Sequence, residues 1–332
     1  FEKNFSKLFG LKYCTAVNSG TSALHLSLRC GKVGFGDEVI IPAQTFIATG
    51  LAVKYVGAKP VFADIQKNTG NICPKSILKK ISKKTKAIIV VHWGGYPCDM
   101  FEIRKIAKKN NLILIEDAAH ALGANYNKFA IGNISDFTCF SFQAKKQLTT
   151  GDGGMLICKR KKDHSYAQKL KWFDINRKSK LSFQGERLYE ISEIGYKYHL
   201  NDIASTIGLE NLKIIKKKLE YINNIAKVYD KNFCNLKEIK VLEKKKDRES
   251  TNWLYTILVK NRTAFYNYMK KNKIPVSLVH RRIDEYKVFG GKTKNLKNQE
   301  YFDKFHICLP IHEQLSKVQI RWIVKKVREF KT

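Results

Sequence analysis

The sequence predicts an α/β fold, a mixed and mostly parallel sheet flanked by helices, with a smaller α+β domain towards the C-terminus. Two observations predict it. Short buried apolar runs at 39–41, 87–91 and 112–115 alternate with helical patterns at the spacing of strand–helix–strand units. Polar residues also collect where such runs end, at His92-Trp93, Glu116-Asp117 and Ser141, and parallel sheets bind ligands at the C-terminal ends of their strands.

The elements follow in order. The opening Phe1-Glu2-Lys3-Asn4-Phe5 reads as the middle of an amphipathic helix, and without an initiator Met the natural N-terminus is expected to be longer. Small polar residues from Asn18 to Ser22 precede a helix marked by Leu24, Leu26 and Leu28. Ser19 or Thr21 can cap that helix, and its free N–H groups suit an anion. A turn at 34–37 leads to a strand ending at Pro42, then a helix over 45–56 that Gly57-Ala58-Lys59-Pro60 ends. Strands are expected at 61–65, 87–91 and 112–117, with helices at 74–82 and 100–109 between them. A run ending in Phe140-Ser141-Phe142 reads as a strand, followed by the lysine pair Lys145-Lys146, a turn-rich segment at 149–154 and a new apolar run at 155–158. A helix over 164–173, a polar loop over 176–193 and a long helix from Asp202 to about Lys231 come next. A domain change near Asn235 divides the chain into 1–235 and 236–332. Beyond it, strands are expected at 253–259 and 275–280, and helices at 262–271 and 318–330.

Composition narrows the function. A length of 332 residues with 44% hydrophobic content supports a large domain and a smaller one. No apolar run is long enough to cross a bilayer and no secretory signal opens the chain, so a cytoplasmic protein is expected. The eight cysteines are scattered, without a CxxC pair or metal-ligand spacing, and read as buried free thiols in a reducing compartment, with no metal site. The net charge of +33 raises nucleic acid as a partner. The lysines are spread along the chain, however, and the densest run, 237–249, is interleaved with acids. No helix-turn-helix, zinc-finger or RNP pattern accompanies them, so a lysine-biased surface is the more economical account.

The polar residues form a chemical constellation. A lysine between a strand end and a glycine-rich turn can be desolvated, which lowers its pKa and frees it for Schiff-base chemistry. Asp117 ends another strand, the 18–22 segment offers helix N–H groups, and Phe46 follows a further strand. Pyridoxal phosphate (PLP) needs an amine for its aldehyde, an acid for its ring nitrogen, N–H groups for its phosphate and a flat partner for its ring. Nicotinamide would call for a GxGxxG turn, and the GDGG at 151–154 lacks that spacing.

Five stretches also carry a family resemblance: VNSGTSALHLSL at 17–28, GDEVIIPAQTFIAT at 36–49, EDAAHALGA at 116–124, SFQAKKQLTTGDGGML at 141–156 and GYKYHLNDIASTIGLENL at 195–212. Together they resemble the DegT/DnrJ/EryC1/StrS family of nucleotide-sugar aminotransferases, over about 5–329. The resemblance implies the aspartate-aminotransferase fold (PLP fold type I) and a homodimer with active sites at the interface. It implies PLP, alternating with pyridoxamine phosphate (PMP), as cofactor. It implies Lys146 rather than Lys145 as the Schiff-base lysine, since the family usually has an apolar residue at the Lys145 position. Asp117 falls to the ring nitrogen, His120 to the vicinity of the ring hydroxyl, Gly20, Thr21 and Ser141 to the phosphate, and Phe46 to the ring face. Relatives with histidine at the lysine position are sugar dehydratases, and Lys146 argues against that branch.

There are departures from the family pattern. Lys197 stands where many members have an Asn that reaches the partner subunit's cofactor phosphate, and would offer a cation there. Asp174 replaces an expected glycine, and the family's N-terminal segment is missing or shortened. The implied reaction moves an amino group, from L-glutamate by resemblance, to a nucleotide-linked keto-sugar. His280, in the Val279-His280-Arg281-Arg282 segment, reads equally as a substrate contact or as a structural residue. A cofactor-binding regulatory protein without turnover and a nucleic-acid-binding protein are the competing readings.

Overall fold

The chain enters its main sheet one helix at a time. The computed structural model describes residues 1–176, 182–183, 186–187 and 189–331. In it α1 (Glu2–Phe9) leads to β1 (Cys14–Val17) and α2 (Gly20–Cys30). The strand–helix unit then repeats through β2 (Glu38–Pro42), α3 (Ile47–Tyr55), β3 (Lys59–Ala63), α4 (Pro74–Lys80), β4 (Thr85–Val91), α5 (Met100–Lys109) and β5 (Ile113–Asp117). A small hairpin of β6 (Asn125–Tyr126) and β7 (Phe129–Ala130) precedes β8 (Phe137–Ser141), β9 (Gly154–Cys158) and α6 (Lys161–Leu170).

The resulting 7-stranded sheet has the order β1-β9-β8-β5-β4-β2-β3. Strands β3, β2, β4, β5 and β8 run parallel, and β9 lies antiparallel between β8 and β1. β1 therefore runs with the parallel strands, which brings six strand ends and one strand start to a single edge. Val91 pairs with Asp117, Asp117 with Cys139, Ser141 with Gly154, and Gly154 with Val17. Side chains alternate between the two faces, as the period of a strand requires. Ile40, Ile88, Val90 and Leu114 pack with Phe5, Ile77 and Ile103 on one side. Val39, Ile41, Ala87, Ile89 and Ile115 pack with Leu24, Val53 and Leu170 on the other. Both faces of the sheet are therefore dry, as in helix-covered parallel sheets, and each fully buried aliphatic side chain contributes roughly 1.5–3 kcal/mol.

Part of the polar loop expected over 176–193 is a short antiparallel pair, β10 (Ser182–Phe183) with β11 (Glu186–Arg187). The rest of that expectation at 177–181, 184–185 and 188, including Arg177, lies outside the described residues. Asn201 then caps α7 (Asp202–Phe233) by accepting a bond from the Ala204 N–H, and the helix runs for 32 residues. Leu212 and Ile215 of α7 belong to the core under the main sheet, whereas Ile225, Ala226, Tyr229 and Phe233 belong to a separate C-terminal core. That second core is built by β12 (Ile239–Val241), β14 (Tyr255–Val259), α8 (Arg262–Lys271), β15 (His306–Leu309) and α10 (Lys317–Glu329). β13 (Arg248–Glu249) follows β12, and α9 (Lys297–Phe305) precedes β15 and places Phe302 in a smaller cluster with Ile65, Trp93 and Leu258. β12, β14 and β15 form a 3-stranded sheet, while β13 pairs back onto β6. No helix of the described residues is long and apolar enough to cross a membrane.

The strand expected at 275–280 does not form. A single bridge links Ser277 to Cys308, and Val279 has φ 60°. A β-branched residue in that left-handed region breaks an extended run. The segment is bent instead against the main sheet, where the Gln44 side-chain N–H donates to the His280 carbonyl at 3.1 Å and the Ile283 N–H donates to the Ala43 carbonyl at 2.9 Å. Asp174, at the position where glycine was expected, has φ 62°. Its buried carboxylate accepts from the Ser192 N–H and hydroxyl and the Glu193 N–H, and pairs with Lys169.

Candidate active site

The shared edge of the main sheet opens into a cavity of about 820 Å³. Gly20, Thr21, Phe46, Asp117, His120, Ser141, Lys145, Lys146 and His280 all line it, so the residues singled out in the sequence come together except for Lys197. The Lys197 side chain lies over the rings of Trp172 and Phe173, with its amine 4.5 and 5.8 Å from their centroids.

Each side chain is placed by local structure. The loop carrying the lysine pair is pinched at its base, where the Phe142 N–H donates to Gly153 and the Thr150 N–H donates to Phe142. Inside it, the Lys146 N–H donates to the Gln143 carbonyl, and the Gln147 side chain donates to the His120 carbonyl. Ser19 caps α2 by accepting from the Ser22 N–H at 3.0 Å. A Cβ on Gly20 would come within 2.9 Å of the Ser141 Cβ, so only glycine lets this helix start pack directly against β8. The glycine turn after the lysines serves the same cradle, since a Cβ on Gly154 would meet the Ser19 carbonyl oxygen at 2.5 Å. The turn lets β9 approach the helix start.

The electrostatics are those of a partly dry site. Burial depresses the Lys146 amine to about 8, and the Asp117 charge offsets this in part. Burial raises the Asp117 carboxyl, against the Thr49 hydroxyl, the Ala119 N–H and the Lys146 charge, which favour the anion. The Thr49 hydroxyl donates to Asp117 Oδ2 at 2.8 Å, and Ala119 N–H reaches Oδ1 at 3.2 Å. Burial holds His120 well below its ordinary value and His280 at about 4, in each case with the Lys146 charge as the next cause. Both rings are therefore neutral near pH 7. His120 Nδ1 is buried and has no hydrogen-bond partner among the described residues. Phe46 is 54% exposed, lines the cavity and meets His280 at 5.2 Å between centroids with the ring planes tilted by 44°.

These residues fit pyridoxal phosphate. The orphaned His120 nitrogen, the helix start at Gly20 and Thr21 on the cavity wall, the depressed amine and the under-satisfied carboxylate are each what one part of that molecule requires. Sequence reasoning missed Thr49, Gln44 and Trp253. The first two look like ordinary helix and loop polar residues, and Trp253 reads as part of the strand expected at 253–259. Spacing carries no signal for any of them, because their partners lie far along the chain.

The model of the DegT/DnrJ/EryC1/StrS aminotransferase family matches residues 1–328. GDP-perosamine synthase of Escherichia coli O157:H7 is 33% identical over 338 residues, covering 99% of this chain and 89% of the relative. The crystal structure of the sugar aminotransferase CalS13 from Micromonospora echinospora superposes with a TM-score of 0.93 at 27% identity, over 98% of this chain and 90% of that one. Spr1654 from Streptococcus pneumoniae, solved in PLP and PMP forms, matches with a TM-score of 0.90 at 29% identity, over 98% of this chain and 88–89% of those chains.

Proposed function

The chain belongs to the DegT/DnrJ/EryC1/StrS aminotransferase family, and from that premise we propose that it transfers an amino group from L-glutamate to a nucleotide-linked keto-deoxysugar. It is a sugar aminotransferase, and PLP, alternating with PMP, is its cofactor. The observation that carries the finer reading is the meeting of Lys146, Asp117 and the start of α2 in one cavity.

In this reading Lys146 holds the cofactor, the Asp117 carboxylate pairs with its ring nitrogen, and His120 Nδ1 bonds its ring hydroxyl. Gly20, Thr21 and Ser141 take the phosphate at the α2 N-terminus, where N–H groups favour an anion. Phe46 covers the ring. Bound there, PLP supplies an aldehyde for the amino group and a ring that stabilises carbanion charge. Lys146 Nζ, depressed to about 8, is matched to taking a proton from the donor's α-carbon near neutral pH. His280, neutral and at the cavity wall, contacts the sugar. Residues 1–235 act as the cofactor-binding domain and 236–332 as the small domain.

A homodimer completes the site, with Lys197 of one subunit reaching the other's phosphate. Exposed Ile191, Ile194, Ile203 and Ile207 flank the Lys197 segment and support a covered surface there. The eight cysteines, all free, support a reducing cytoplasmic setting.

Substitution Lys146→Ala is expected to abolish the near-visible absorbance of the bound cofactor together with turnover. A variant that keeps that band would overturn the assignment. The wild-type protein is expected to convert PLP to PMP when given L-glutamate alone, and to aminate at least one member of a nucleotide keto-sugar panel. Absence of the half-reaction would instead favour a regulatory protein.

A further inference from the structure

We infer that Trp253 is a positioning residue for Lys146: its ring faces the amine, and its N–H holds the loop that carries it. The Lys146 Nζ lies 3.8 Å from the centroid of the Trp253 ring. The indole N–H donates to the Lys145 carbonyl at 2.9 Å, one residue before the amine. The same indole stacks on His120, with centroids 3.8 Å apart and planes inclined by 20°. The peptide of His120 is fixed in turn, because its carbonyl accepts from the side chains of Gln147 and Thr251. Trp253 lies two residues before β14, in the C-terminal region, while the lysine loop and His120 belong to the main sheet. One half-buried indole thus ties the second core to two groups of the site.

An ammonium over the face of an indole is attracted by the ring's negative face. That attraction favours the protonated amine, opposing the burial that disfavours it. The charged and titratable groups facing Lys146 are Asp117 from β5, His120 from the loop after it, and His280 from the bent 277–282 segment. Lys145 and Asp152 also line the cavity. Asp117 acts in the same sense as the ring, and both histidines are neutral near pH 7. The ring contact is therefore separable from the charges by substituting Trp253 alone. The inference rests on Lys146 being the reactive amine of the site.

The test is competitive acetylation of the cofactor-free full-length chain with trace acetic anhydride across pH 6–11. Mass spectrometry reads Lys146, with Lys145 in the same peptide as the internal labelling standard. In the wild type Lys146 should titrate near about 8. Trp253→Leu keeps an apolar cover but removes the ring, and should lower that midpoint by about half a unit to one unit. Trp253→Phe keeps a ring and loses the N–H, and should lower it by less. A leucine midpoint equal to or above the wild type, or a phenylalanine midpoint as low as the leucine one, would overturn the role of the ring. If the leucine protein does not fold, the phenylalanine variant alone decides, since a midpoint at or above the wild-type value overturns the role. A wild-type Lys146 that titrates like an ordinary lysine would instead overturn the reading of the site itself. A low wild-type midpoint that neither variant moves would sink Trp253 and leave that reading standing.

Discussion

Glu116 and Asp117 are adjacent on one strand, both are carboxylates, both are buried, and their surroundings drive them in opposite directions. Alternation along β5 sends them to opposite faces of the sheet. On one face Glu116 Oε2 meets His92 Nε2 at 2.9 Å, and Oε1 accepts from the hydroxyls of Ser135 and Thr138. The Cys98 N–H donates to His92 Nδ1, so the imidazole carries its proton on Nε2 and donates it to Glu116. Burial would raise the Glu116 carboxyl, but these bonds outweigh it and the net shift is downward. On the other face Asp117 has two bonds, from Thr49 and Ala119, burial prevails and the shift is upward. One carboxylate is complete within the protein. The other lacks a partner that the cavity has room to supply, and this difference separates a structural acid from a site acid.

The contrast can be broken most sharply at Asp117. Asp117→Asn keeps the shape and removes the charge, so turnover is expected to fall by about 10²–10³-fold, on the scale of losing one preorganised electrostatic group, without lowering the melting temperature of the cofactor-free protein. Glu116→Gln is expected to do the reverse. It should destabilise the fold by about 1–3 kcal/mol, since hydroxyl and imidazole donors lose a charged acceptor. That corresponds to a fall of roughly 1–2 °C in the melting temperature per kcal/mol for a chain of this length.

Acid titration of stability sharpens the comparison, because the two signs are opposite. The folded-state value of Glu116 is lowered from its ordinary 4.5, so its stabilisation is full above about 4.5 and is lost as the pH falls below it. The folded-state value of Asp117 is raised from its ordinary 3.8, so its charge destabilises the fold above the raised value, and that penalty is relieved as the pH falls towards 3.8. Relative to Glu116→Gln the wild type should lose its advantage in acid, while relative to Asp117→Asn it should gain one. Two parallel titration curves would refute the assignment of opposite roles. The smallest effect is expected from Thr49→Val, which removes one of the two bonds to Asp117. Equilibrium dialysis should show PLP affinity falling about two- to tenfold, the scale of one hydrogen bond.

Most of the main sheet is legible in the sequence because its strands are dry on both faces and so appear as uninterrupted apolar runs. β1 escapes notice because Cys14-Thr15-Ala16-Val17 is short and its residues are small. α9 escapes because Gln299 and Phe302 are its buried residues, and two positions do not make a stripe. The 275–280 segment misleads because Val276 and Leu278 alternate like a strand while Val279 turns the chain. The site follows the same logic. Lys146, Asp117 and the start of α2 stand at the ends of legible elements and are picked out with them. Trp253, Thr49 and Gln44 act through contacts across 108, 68 and 236 residues of chain, and one-dimensional spacing holds no trace of such distances.

The length of α7 has a mechanical consequence. At 1.5 Å per residue its 32 residues make a rod about 48 Å long, and its two halves are bolted into two different cores. Swinging one core against the other would bend that rod and break its internal hydrogen bonds, at a point with no proline or glycine pair to act as a hinge. The core beneath the sheet that floors the cavity and the core behind the strand that follows Trp253 are therefore spanned by one continuous beam.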